Sequence, residues 1–264
     1  MLANKHLLWC VLACASQAVK GLALPAREAP SGDGLLRRDG FADGMALRIM
    51  PLGASITYGY GSSDKNGYRK DLRDRLERAG NAVNMVGDHP SGDMQDNDTE
   101  GWEGYTVATV RGKADKAVPR FKPNLVLVNV GTNDCIGNDD LPAAGNRVTD
   151  LLNDVFRDSP RATVILSTLL VNRNPDVAKR VADFNDQLRG VAGRFQLYGR
   201  RLVLVDMQGD KGPQKDDLID DGIHPNDVGY RKMADVWLEG IKEANRRHYL
   251  QEAEKVEGLA ADGA

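Results

Sequence analysis

Cysteine is nearly absent from this chain: Cys10, Cys14 and Cys135 are the only three. The first two sit in an N-terminal apolar segment that reads as removable. Cys135 is then alone, so the mature chain has no intrachain disulfide, and a domain of this size needs none. Aromatic residues are scarce at 6%, and there are four histidines. An excess of positive charge is missing too: 35 Lys+Arg against 38 Asp+Glu give a formal net charge of −3. That excludes the electrostatic footprint of a nucleic-acid binder or of a protein held on an anionic membrane. Lys and Arg are instead scattered beside Asp and Glu, as on solvated helix faces. Long hydrophobic runs are also lacking, since Leu7 to Ala15 falls short of the ~20 residues a membrane span requires.

The N-terminus has its own pattern. Lys5 and His6 precede that short apolar run, and small residues follow at Ser16-Gln17-Ala18 and Gly21-Leu22-Ala23. This is the layout of a secretory signal peptide over residues 1–23, cleaved near 18–23, and it predicts an extracellular protein; the alternative, a buried N-terminal helix, lacks any accompanying amphipathic pattern. Residues 24–45 carry Pro25, Pro30, Gly32 and Gly34 among charges and read as disordered or as a pro-segment. Arg37-Arg38 is either a dibasic processing site or a plain charged pair. A single domain is expected over 46–250, with a disordered tail over 251–264. Asn97-Asp98-Thr99 is a glycosylation sequon in a polar loop.

Within the domain, apolar runs alternate with helical patterns. Strands are expected at Leu47 to Leu52, Ala82 to Val86, Leu125 to Val130, Thr163 to Leu170 and Leu202 to Val205. Their Val, Ile and Leu show little alternation, as in strands buried on both faces. Helices are expected at Tyr68 to Ala79, Thr106 to Val118, Pro142 to Phe156, Asp176 to Phe195 and Asp227 to about Arg247. Such alternation predicts a parallel sheet with helices on both faces. In these sheets the site lies beyond the carboxyl ends of the strands.

Three segments there carry chemistry. Gly53-Ala54-Ser55-Ile56-Thr57 follows the first strand, and small residues let the chain turn sharply and expose a serine. Ser55 is a candidate nucleophile or a helix cap. Neither a Walker loop nor Gly-x-Gly-x-x-Gly is present. Val130-Gly131-Thr132-Asn133-Asp134 follows the Leu125 strand and places a side-chain amide in the same crevice, unless Asn133 or Asp134 only caps the turn. Asp220-Asp221-Gly222-Ile223-His224-Pro225-Asn226 precedes the last helix. In a tight turn, Asp221 can reach the outer nitrogen of His224 and hold its tautomer, as a serine triad requires, unless the pair only caps and solvates the helix entry. No metal is expected, because His224 has no second histidine nearby and Cys135 is isolated. The acidic run Asp93, Asp96, Asp98, Glu100 reads as an ordinary surface loop rather than a calcium site.

In combination and order, Gly-Ala-Ser-Ile-Thr, Gly-Thr-Asn-Asp and Asp-Gly-Ile-His-Pro resemble blocks I, III and V of the SGNH/GDSL hydrolases. More narrowly, residues 50–57, Glu100-Gly101-Trp102-Glu103-Gly104 and the Asp-Gly-Ile-His-Pro-Asn run resemble carbohydrate esterase family three, which includes acetylxylan esterases. The resemblance covers Leu47 to about Glu243. It implies a three-layer α/β/α, flavodoxin-like domain with a five-stranded parallel sheet. It implies Ser55 as nucleophile and His224 with Asp221 as base and orienter. The oxyanion hole is then made by the Ser55 and Gly104 N–H groups and the Asn133 amide, with Gly87 as the alternative to Gly104. One departure stands out: the usual Gly-Asp-Ser is Gly-Ala-Ser here, so Ala54 supplies no carboxylate beside the nucleophile.

The expected protein is a secreted, cofactor-free, monomeric esterase. It acts on acetyl or other short acyl esters of a plant-wall polysaccharide such as xylan, without nucleic acid or membrane as partner. The rival readings are a lipid or lysophospholipid esterase of the same fold and a non-catalytic carbohydrate-binding protein. Tyr58, Tyr60 and Trp102 flank the candidate site in sequence; flat rings beside polar groups suit sugar faces, and core or helix packing is the equal alternative for all three.

Overall fold

A computed structural model describes residues 41–259, all within one compact unit. The expected signal segment 1–23, residues 24–40 of the expected pro-segment, and residues 260–264 lie outside the described residues.

The chain runs β1 (Leu47–Gly53), α1 (Ser55–Tyr58), α2 (Arg69–Ala79), β2 (Val83–Met85), β3 (Glu100–Gly101), α3 (Val107–Phe121) and β4 (Leu125–Asn129). It continues through α4 (Thr132–Gly137), α5 (Ala144–Asp158), β5 (Thr163–Ser167), α6 (Pro175–Leu197), β6 (Leu202–Val205) and α7 (Asp227–Arg246). Every pairing between these strands is parallel, in the order β2-β1-β4-β5-β6. Alternate residues of each strand feed two separate cores. Met50, Leu52, Val126, Val128, Val164 and Leu166 pack under α3, α5 and α6. Ile49, Leu125, Leu127, Ile165 and Val203 pack under α2 and α7. Both faces are therefore buried, which is why the strand sequences show no polar alternation.

The sheet has one strand more than the five expected. Glu100–Gly101 forms the two-residue β3, which pairs with the end of β1 in the register Leu52↔Glu100 and Gly53↔Gly101. β2 ends before β3 begins, and Pro51 lies in that gap. Ile49 and Gly53 accept there from Val86 N and Trp102 N. The missing N–H of Pro51 therefore falls where no neighbouring strand requires it, which is how a central strand tolerates proline. β5 stops at Ser167, short of the Leu170 expected. Residues 168–170 stay buried: Thr168 N still donates to the Val205 carbonyl at the end of β6, and beyond it side chains take over, Asn185 Oδ1 accepting from Leu169 N and Gln208 Nε2 donating to the Leu170 carbonyl.

Both domain boundaries also differ from the sequence reading. Phe41–Gly44 forms a short 3₁₀ turn that Asn81 ties down through bonds with Phe41 and Met45. Ordered structure thus begins ahead of residue 46. Residues 251–259 contain no helix or strand, yet they are not a free tail. The Gln251 carbonyl accepts from Asn124 Nδ2 at 2.8 Å and the Glu254 carbonyl accepts from the buried Arg48 at 2.9 Å.

Candidate active site

Ser55 is the first residue of α1, directly after the carboxyl end of β1. The turn that exposes it depends on glycine. A Cβ at Gly53 would lie 2.2 Å from Thr57 Oγ1 and 2.4 Å from the Asn129 carbonyl oxygen. Gly59 closes the turn at φ +99, and a Cβ there would lie 2.2 Å from the Lys65 carbonyl oxygen. At the head of a helix, the Ser55 N–H has no intrahelical acceptor.

Asp221 and His224 lie on a loop pinned at its base. Leu218 and Pro225 form an antiparallel bridge. Ile219 N donates to the His224 carbonyl at 2.9 Å and Asn226 N to the Asp217 carbonyl at 2.8 Å. Asn226 then caps α7, accepting from Val228 N and Gly229 N. Gly222 turns the loop tip at φ +69. Arg173 is a contact that no sequence pattern marked. Its guanidinium donates to the carbonyls of Lys215, Leu218 and Ile219, and its own N–H donates to the Gly222 carbonyl. Four carbonyls of one loop thus converge on one residue.

These two turns bring three side chains into a continuous line. Ser55 Oγ lies 2.8 Å from His224 Nε2, and His224 Nδ1 lies 2.6 Å from Asp221 Oδ2. The other carboxylate oxygen accepts from Ile223 N at 2.8 Å and His224 N at 3.0 Å. Partial burial pushes the Asp221 carboxyl up, but these N–H donors and the imidazole outweigh it and hold it below its ordinary value. An ionised carboxylate accepts only. The imidazole proton therefore sits on Nδ1, and Nε2 is left to accept from the serine hydroxyl. The line forms with Ala54 nearly buried at 7% exposure, so a carboxylate beside the nucleophile is not needed to assemble it.

Asn133 lies in the first turn of α4, after Gly131, where a Cβ would lie 2.2 Å from the Phe184 ring. One N–H of its amide donates to the Tyr105 carbonyl at 2.8 Å, which orients the group and leaves its second N–H for another acceptor. Trp102 N donates to Gly53, and Tyr105 N to Trp102. The 102–105 turn is therefore fastened to the nucleophile strand at one end and to Asn133 at the other. Gly104 lies within it at φ +77, with open space where a Cβ would be. Gly87 is placed differently. A Cβ there would lie 2.1 Å from the Thr99 carbonyl carbon, so close backbone packing explains that glycine.

The remaining candidates, Tyr60 apart, resolve into structural roles. Trp102 has both ring faces covered: His89 stacks on it at 4.2 Å and 8°, and Lys113 Nζ lies 3.4 Å from its centroid. Its Nε1 donates to Glu100. Burial pushes the Glu100 carboxyl up to about 6, against the opposing pull of the Trp102 N–H, Lys113 and His89. Tyr58 stacks on the other side of His89 at 4.8 Å. In the acidic loop, Asp96 pairs with Arg73 and accepts from Met85 N, while Asp93 accepts from Asn66. No group of three or more His, Cys, Asp or Glu among the described residues is arranged to hold a metal ion. Cys135 is buried, and that burial, with Asp134 beside it, pushes its thiol up to about 12. The sequon is not a free surface site: Asn97 Nδ2 donates to the Gly92 carbonyl and Thr99 is fully buried. Arg69 is also fully buried and donates to the carbonyls of Tyr58, Lys65, Ser91 and Asn97. It knits the chain after the nucleophile to the 91–97 loop.

A parallel three-layer sheet with a Ser–His–Asp line at its carboxyl edge is the arrangement of a serine hydrolase. The chain belongs to the GDSL-like lipase/acylhydrolase family, whose sequence profile matches residues 52–232. Its folded domain is of the SGNH ester-hydrolase type. It is similar to a family 3 carbohydrate esterase of Clostridium thermocellum, with 25% identity, a TM-score of 0.68, and coverage of 77% of this chain and 98% of that one. A family 3 carbohydrate esterase from Talaromyces cellulolyticus shares the fold at 24% identity and a TM-score of 0.66, covering 76% of this chain and 99% of that one. The chain is 29% identical to a multidomain esterase of Ruminococcus flavefaciens. That match covers 74% of this chain but spans only 28% of the length of the multidomain protein.

Proposed function

We propose that this protein is a secreted, monomeric serine esterase that removes short acyl groups, acetyl above all, from a plant-wall polysaccharide such as xylan. The observation that carries the chemistry is the unbroken line from Ser55 through His224 to Asp221, with contacts of 2.8 and 2.6 Å. Ser55 Oγ attacks the ester carbonyl while His224 Nε2 takes its proton. The Ser55 and Gly104 N–H groups and the free N–H of Asn133 hold the oxyanion. His224 returns the proton to the departing alkoxide, and water then releases the acyl group with His224 again as base. Each of these steps is carried by the chain's own side chains and backbone. Secretion rests on the N-terminal pattern of residues 1–23.

Asn133→Ala is expected to lower kcat by ~10²–10³, the usual cost of one oxyanion donor. KM should change little, because that bond strengthens only as charge develops. A raised KM at constant kcat would make Asn133 a substrate-binding residue instead.

Kinship with two carbohydrate esterases supports the choice of substrate, as does the polarity of the site's surroundings. A long acyl chain gains ~0.8 kcal/mol per methylene only where an apolar groove takes it out of water. Residues 88–100 are almost wholly polar, and Met94, their one large apolar side chain, is buried. Residues 137–140 are polar and exposed. Across a series of nitrophenyl esters, kcat/KM is therefore expected to be highest for acetate, to fall steeply by butyrate and to be nearly absent at octanoate. A maximum at octanoate or beyond would replace the carbohydrate ester with a lipid.

A further inference from the structure

Ester cleavage fixes the side of the site on which the alcohol must lie. His224 hands its proton to the departing alkoxide, so that oxygen must come within hydrogen-bond reach of Nε2. The carbonyl oxygen points the other way, toward Gly104 and Asn133. The carbohydrate therefore rests against whatever lines the His224 side.

Tyr60 is there. Its ring centroid is 4.5 Å from that of His224, with the planes tilted by 54°. It is 47% exposed, yet its backbone is fixed. Tyr60 N donates to the Ser55 carbonyl at 3.0 Å, and the Tyr60 carbonyl accepts from the buried Tyr230 hydroxyl at 2.6 Å. The next residue, Gly61, sits at φ +94, where a Cβ would lie 2.7 Å from the Pro225 carbonyl oxygen and 3.2 Å from His224 Cβ. The segment carrying the ring is thus pressed against the catalytic loop while the ring stays open to solvent. The other aromatics flanking the site are occupied, Trp102 between His89 and Lys113 and Tyr58 against His89.

Resting on the carbohydrate-ester reading above, we propose that Tyr60 is the platform on which the sugar bearing the acyl group stacks. A tyrosine offers a flat apolar face at low entropic cost, with only two side-chain torsions to fix. The axial C–H groups of a pyranose are the complementary surface for the electron-rich face of the ring. Tyr60 would thereby hold the ester oxygen near Nε2.

The test compares acetylated xylo-oligosaccharide with ethyl acetate, whose alcohol has no ring to stack. In Tyr60→Ala, the ratio of kcat/KM for the oligosaccharide to that for ethyl acetate should fall about tenfold, the scale of one aromatic stacking contact. The fall should arise mainly in KM for the oligosaccharide. Tyr60→Phe and Tyr60→Trp keep a face and should hold the ratio within about threefold of the parent. An unchanged ratio in Tyr60→Ala, whether both activities fall together or neither falls, would overturn the platform and leave the esterase reading standing. A parent enzyme that cleaves ethyl acetate but not the acetylated oligosaccharide would overturn the carbohydrate reading and the platform with it. One that cleaves neither would overturn both along with the esterase reading.

Discussion

Ser55→Ala should abolish ester hydrolysis while leaving the fold intact. The Ser55 hydroxyl meets His224 at 2.8 Å, and its removal takes away the atom placed to attack a bound ester. In serine hydrolases, loss of the nucleophile costs on the order of 10⁶ in kcat, and what remains comes from the oxyanion hole and binding. Stability should change by no more than about 0.5 kcal/mol, because a partly exposed hydroxyl is removed without opening a cavity. The measurements are kcat on an acetyl ester and a thermal melt of the same sample. An alanine variant that keeps parental turnover would remove Ser55 from the mechanism. One that loses turnover through unfolding would show in the melt.

Asp221→Asn should leave geometry nearly unchanged and still reduce kcat by ~10⁴. The asparagine oxygen can keep the bonds from Ile223 N and His224 N that Oδ1 accepts at 2.8 and 3.0 Å. Its NH₂, however, faces His224 Nδ1 as a donor. The imidazole must then place its proton on Nε2, the nitrogen that has to accept from Ser55. A loss below about tenfold would make Asp221 a loop-tying residue rather than an orienter. The substitution also changes the acid limb of stability. The parent carboxyl is held below its ordinary value. Its contribution is therefore full above the unfolded carboxylate value of ~3.9 and is lost as pH falls through the folded one. The substituted amide does not titrate, so the Asp221→Asn variant should lack that part of the acid sensitivity.

The elements that were legible in the sequence owe their legibility to burial. β1, β4, β5 and β6 have both faces covered, and each reads as a largely apolar run. The family blocks lie at the carboxyl ends of strands, where a parallel sheet gathers its chemistry, so Ser55, Asn133, Asp221 and His224 could be named before any geometry was known. Arg69 could have been found as well, since it shares the inward stripe of α2 with Leu72 and Leu76 at helical spacing. The strand β3 was not legible. Glu100 and Gly101 have no strand-like composition and pair with β1 only because the end of β1 offers a free edge there. Arg173 was hidden for a related reason: it binds backbone carbonyls, and a carbonyl leaves no trace in the sequence. The same holds for residues 251–259, a polar stretch anchored through its own carbonyls by Asn124 and Arg48. Ring exposure was equally out of reach. Sequence placed Tyr58, Tyr60 and Trp102 near the site on equal terms, and only packing shows that Trp102 has no free face.

The central claim is that Ser55, activated by His224, is the group that becomes acylated. Treating the folded protein with a fluorophosphonate probe and mapping the adduct by peptide mass spectrometry tests it directly. One adduct, on Ser55, with loss of acetyl-ester hydrolysis in proportion to labelling, is the expected result. An adduct on another serine, or full hydrolytic activity in protein labelled to completion at Ser55, would contradict it.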